Sequence, residues 1–221
     1  MSDTSRPTLS QLVLVPAIIT LGVTLLRLVG ELQHWNRALF NPAGGGGGAL
    51  VGISWLPLIF GPIFAARLVN AGEAPARVGR AIGLAALGLA IVPATAIGMN
   101  RLGASQSAAI VAVCFVALLG GIVASRGWTT LGRVNLVYGL AARIPVAILM
   151  LPAIMGKWGT HYDALPPNFP ALSPVATWAL IGLFPQMTLW IGWTLIAGGL
   201  TGAITAAVKR GKRAESVASA A

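Results

Sequence analysis

The sequence predicts an all-α, polytopic transmembrane bundle of six spans with both termini in the cytoplasm. Three observations carry this reading: long apolar segments, a scarcity of charge, and basic residues gathered in alternate connections. Of the 221 residues, 56% are hydrophobic and 9% are charged, against roughly 25% charged in soluble domains. A soluble fold of this composition would lack the polar side chains to cover its surface, a requirement that lipid removes.

Crossing a hydrocarbon layer about 30 Å thick, at about 1.5 Å per residue, takes about 20 apolar residues. Residues 9–32, 49–69, 78–99, 107–125 and 134–155 qualify as the first five spans. The first is read as uncleaved, because Asp3 and Arg6 balance, the apolar stretch outruns a signal segment and no cleavage site closes it. The last stretch, 174–208, is too long for one untilted span. Pro185 within it lacks an amide donor and disfavours helix just before itself. A short interfacial helix before Pro185 and a sixth span after it are therefore expected. Residues 1–208 then form one transmembrane domain, and 209–221 a basic cytoplasmic tail.

Orientation follows from charge, since basic residues concentrate in cytoplasmic connections. With the N-terminus inside, Arg6, Arg67, Arg77, Arg80, Arg126, Arg133, Lys209, Arg210, Lys212 and Arg213 are cytoplasmic, and only Arg37, Arg101 and Lys157 are outside. Arg27 and Arg143 fall within spans. Trp35, Trp55, Trp158 and Trp178 mark the outer boundary and Trp128 the inner one. The expected location is the plasma membrane, the inner membrane of a bacterium. The net charge of +10 is spread over topology signals and the tail, which favours anionic lipid over nucleic acid as its partner.

Two small-residue pairs, Gly79 with Gly83 and Gly198 with Gly202, have the spacing that lets helix backbones approach. Both are expected to pack inside the bundle, with homodimerisation as the alternative. Cys114 is the single cysteine, so no intrachain disulfide or CxxC redox motif exists.

Polar groups at membrane depth are costly and turn toward protein or water. Thr20, Thr24, Arg27, Glu31 and His34 recur at spacings of four, three, four and three, which places them on one helical face. Arg27 and Glu31 can pair directly. Arg143, just before Pro145, needs Glu31, a carbonyl freed near the proline, or an anionic ligand. In the last span Gln186, Trp190, Trp193 and Thr201 share a face. The first, fifth and sixth spans should thus enclose a polar interior, with the second nearby and the third and fourth facing lipid.

The outer loops add His34, His161 and Asp163. With Glu31 these could ligate a metal, yet no HxxxH or HExxH pair is present, and no metal or cofactor is expected. The run Gly44 to Gly48 lacks the GK[ST] ending of a phosphate loop and reads as a connector. Pro166, Pro167, Pro170 and Pro174 should stiffen the last outer loop into a cap. Prolines in the second and fifth spans hint at an inverted repeat, although the flanking residues do not align.

The chain has no lysine within a span to carry retinal, no serine–histidine nucleophile and no paired histidines for haem. Three functions compete. The first is a small transporter or binding protein with an outward cavity lined by Arg27, Glu31, Arg143 and Gln186, for an anionic or zwitterionic small molecule or lipid. The second is a scaffold or accessory subunit of a membrane complex. The third is an enzyme at the outer interface using His161, Asp163, His34 or Glu31.

Overall fold

The computed structural model describes residues 7–44, 49–167 and 169–218, and among these it contains helices and connections but no strand. Arg6 and glycines 45–48 lie outside the described residues. The elements are α1 (Leu9–Leu32), α2 (Leu56–Asn70), α3 (Val78–Arg101), α4 (Gln106–Ser125), α5 (Thr129–Gly156), α6 (Pro174–Thr177), a π-helical segment (Trp178–Leu183), α7 (Phe184–Met187) and α8 (Leu189–Ala218). Five helices are long and apolar enough to cross a membrane: α1, α3, α4, α5 and the 39-residue run Pro174–Lys212. Their outward faces carry Leu14, Ile18, Leu87, Leu119 and Ile148, all exposed, a perimeter suited to lipid.

Helix starts obey local chemistry. Thr8 and Gln11 form a reciprocal capping box before α1, and Ser105 and Ser173 accept from the third residue beyond them at the starts of α4 and α6. Pro57 sits in the first turn of α2, where its missing amide hydrogen costs nothing. The helix therefore begins at Leu56, and the second apolar stretch is helical over only 15 residues rather than from residue 49.

Pro185 does not divide the last stretch as expected. The helical run carries through it, the preceding turn being π-helical, and breaks three residues later at Thr188, which separates α7 from α8. The Phe184 amide donates to the Ala179 carbonyl, five residues back, and this wider turn keeps the proline ring clear of the carbonyl four residues earlier. The basic segment starting at Lys209 also continues the helix, through Ala218.

α8 is the central post, packed against α2, α3, α4 and α5. Lipid supplies little hydrophobic drive between helices, so contact relies on close backbone approach. Gly192 lies on the backbone of Ala117 in α4, and Gly198 faces Gly61 of α2, where a Cβ on Gly61 would sit 2.5 Å from the Gly198 carbonyl. Gly202 packs on Leu131 and Ala65, as expected for its pair. Gly79 and Gly83 behave otherwise: a Cβ on either would meet no atom within 4 Å. Their expected packing inside the bundle is overturned, because the face of α3 that carries them points away from its neighbours.

One end of the bundle gathers the basic groups. Arg67 donates to the Gln11 carbonyl, Lys209 to Asn70 and Arg210 to the Pro75 carbonyl, while Trp128 donates to Glu73. These bonds tie the ends of α1, α2, α5 and α8 together. Replacement of Gly192 by Ala should cost about 1–3 kcal/mol by overpacking. The same change at Gly79 should stay within about 1 kcal/mol and favour the helix. Thermal unfolding in detergent measures the difference, and equal shifts would refute the packing assigned to α8.

Candidate functional site

At the opposite end, α1 turns its polar stripe inward. Thr20, Thr24, Arg27 and Glu31 are buried, whereas Leu21, Leu25, Leu26 and Val29 are exposed, the separation that a 3.6-residue period produces. The threonine hydroxyls donate to carbonyls four residues back. Thr20 also meets the Tyr138 hydroxyl of α5 at 2.9 Å. Tyr138 in turn packs edge-on to Phe60 and Phe64 of α2 at 5.3 and 5.6 Å.

Above this pair lies a buried ionic cluster. Arg27 Nε donates to Glu31 at 2.7 Å, and Arg27 Nη2 donates to the Asn41 carbonyl at 3.0 Å. The other carboxylate oxygen accepts the His161 backbone amide at 2.8 Å, and His161 Nδ1 also lies 2.8 Å from the carboxylate. Glu31 thus binds the loop after α5 to α1. Asp163 shapes that loop by accepting from the Gly159 and Thr160 amides and the Thr160 hydroxyl at 2.7 to 2.9 Å. Tyr162, next to His161, donates its hydroxyl to the Thr24 carbonyl at 3.1 Å.

Burial depresses the His161 pKa below its ordinary 6.5. The hydrogen bond to Glu31 opposes that shift and the Arg27 charge adds to it. The imidazole is therefore neutral at pH 7, with Nδ1–H as the donor to Glu31. Burial raises the Tyr162 phenol, which stays protonated as a donor.

Beneath the loop is a cavity of about 380 Å³, within the usual range for small-molecule sites. Its polar lining comprises Thr24 and Arg27 of α1, Ser54 before α2, Arg143 of α5, His161 and Tyr162 of the loop, and Gln186 of α7. The remaining wall is largely apolar, with Val23, Ile53, Val146, Met150, Ile181 and Leu189.

Two of these polar groups carry a buried atom with no hydrogen-bond partner. Arg143 is 4% exposed, its Nε has no acceptor, and no carboxylate among the described residues pairs with it. Its guanidinium lies 4.5 Å from the centre of the Trp190 ring, a favourable cation–π contact that leaves the donors unused. Gln186 is 8% exposed, its Oε1 has no partner, and its amide nitrogen reaches only the Met150 sulfur at 3.9 Å.

Of the residues singled out from the sequence, Arg27, Arg143, Gln186 and His161 line this one cavity, and Glu31 braces two of them. His34 is exposed, with a left-handed backbone after the end of α1, and lies outside the lining. Asp163 is engaged by its own loop. Among the described residues, no three His, Cys, Asp or Glu side chains come together. Tyr138, Tyr162 and Met150 escaped sequence reasoning. Tyr138 had one signal, a lone tyrosine in an apolar run, whose hydroxyl needs a buried partner. No family model matches the chain, and neither does any curated protein or solved structure.

Below pH 6.5 the unfolded chain takes up a proton at residue 161 that the folded chain resists. This contribution to stability is complete above 6.5 and declines as the pH falls toward the folded value. The difference in melting temperature between the wild type and His161→Gln should therefore shrink on acidification below 6.5. A difference independent of pH would show that the imidazole does not titrate in this way.

Proposed function

We propose that the protein is a plasma-membrane binding protein or small transporter whose outward cavity takes an anionic or zwitterionic small molecule or lipid. The carrying observation is Arg143, a buried guanidinium on the cavity wall with no carboxylate partner. An unpaired cation at membrane depth costs at least about 2.5 kcal/mol, and an anion in the cavity would offset that cost. Arginine presents a planar set of donors that suits carboxylate and phosphate.

The reading uses six crossings with both ends cytoplasmic. α2 alone reaches about 22 Å, short of the about 30 Å of hydrocarbon. The irregular residues Ala49, Gly52, Ile53 and Ser54 before it line the cavity, which is where non-helical backbone is tolerated at membrane depth. Together they complete a sixth crossing. The basic end, with Arg67, Lys209 and Arg210, then faces the cytoplasm, and the cavity faces outward.

Fusing a reporter of sidedness to each terminus should place both on the cytoplasmic side; opposite sides would reject the orientation. For the cavity, solvent extracts of purified wild type and Arg143→Leu should differ by one anionic compound, present near one per chain in the wild type and absent from the variant. Equal content in two folded proteins would reject the binding role of Arg143.

A further inference from the structure

We propose that the occupant of the cavity is an acidic lipid with one negative charge and a hydroxyl-bearing head group, its acyl chain leaving sideways into the apolar perimeter. The proposal rests on the anion-binding reading above and narrows it to one class of ligand.

The charge count selects a single negative charge. Arg27 and Arg143 are the guanidinium groups on the wall. Arg27 is already paired with Glu31 at 2.7 Å, and the Asp163 carboxylate is taken up by loop amides and the Thr160 hydroxyl. That leaves the charge of Arg143 to be matched by the ligand. A head group bearing both charges would bring a cation into a cavity that offers it no free carboxylate.

The hydroxyl follows from Gln186. A thioether sulfur can accept but not donate, so the contact with Met150 Sδ orients the amide nitrogen toward sulfur and leaves Oε1 open. Two residues lining the cavity thus carry an unused donor, Arg143 Nε, and an unused acceptor, Gln186 Oε1. A phosphodiester with an adjacent hydroxyl satisfies both, and leaving either buried group unsatisfied is costly.

The lipid character follows from the walls. Ile110 of α4 and Leu180 of the π-helical segment both line the cavity and are 40% and 51% exposed, and Val111 of α4 and Val175 of the adjoining α6 are exposed without lining it. The wall therefore reaches the surface that lipid covers. Leu189 is shared with a neighbouring, wholly apolar groove of about 250 Å³ bounded by Leu89, Val92, Pro93, Trp193 and Ile196. A water-soluble anion uses neither feature, whereas an acyl chain uses both.

The test is native mass spectrometry of the full chain released from micelles doped with one lipid at a time, together with thermal unfolding in the presence of soluble glycerophosphoglycerol, a singly charged phosphodiester. Phosphatidylglycerol should be retained at one per chain and preferred to phosphatidylethanolamine, which has a donor but no net charge, by at least about tenfold. It should also be preferred to phosphatidylmethanol, which has the charge but no hydroxyl, by about tenfold. Arg143→Leu removes an unpaired buried cation and should fold, as gel filtration would show, yet lose the retained lipid. Gln186→Leu should keep phosphatidylglycerol but lose its margin over phosphatidylmethanol. Equal retention of phosphatidylethanolamine, or undiminished retention by Arg143→Leu, would overturn the proposal. If glycerophosphoglycerol stabilises the protein and no lipid is retained, the lipid assignment falls while the anion site stands. If neither binds, both fall.

Discussion

Glu31 is the carboxylate around which the half of this bundle opposite the basic end is assembled. A buried carboxylate persists only where cations and amide donors replace its lost hydration. Here Arg27 supplies the cation, and the His161 amide and imidazole supply the donors. One of these partners is on the same helix and the other belongs to a loop 130 residues later in the chain. Meeting the needs of one charge therefore also fixes where that loop lies, and the loop forms a wall of the cavity. The Tyr162 bond to the backbone of α1 is a second tether that follows from the first.

The two arginines illustrate how location divides similar residues. Arg27 is neutralised within its own helix by a partner four residues on. Arg143 emerges between Tyr138 and Val146 on the buried face of α5, where the nearby polar groups are hydroxyls, an amide and an indole. A guanidinium surrounded by such groups keeps its charge without matching it. The close glycine contacts around α8 make this stringent, because α5 and α8 cannot part easily to admit water from the side.

Much of this was legible in the sequence, and the physical reasons divide along the chain. The limits of α1, α3 and α4 follow from hydropathy and from capping residues such as Ser105, both of which act locally. The Arg27–Glu31 pair was legible because helical periodicity puts residues four apart in contact. His161 was harder, since a loop has no periodicity from which to infer its partner. Asp163 and His34 resembled His161 by composition and lay on the same side, but turn geometry assigned one to its own backbone and left the other exposed. Tyr138 stayed hidden because its partner, Thr20, lies 118 residues away. The glycine pairs show that spacing indicates where helices can approach, and only the arrangement of neighbours decides whether they do. Pro185 was misread because the rule for proline presumes a regular α-helix, and the π-helical segment changes that premise.

That segment also governs azimuth. A π-helical turn holds one more residue than an α-helical turn, so everything beyond it is rotated by about 100° relative to an uninterrupted α-helix. Gln186 lies downstream of the extra residue and before the break at Thr188. The direction in which Gln186 faces the cavity is thus set by an insertion that precedes it in the helix. Shortening the segment by one residue would turn Gln186 away from the cavity without altering a single group on its wall.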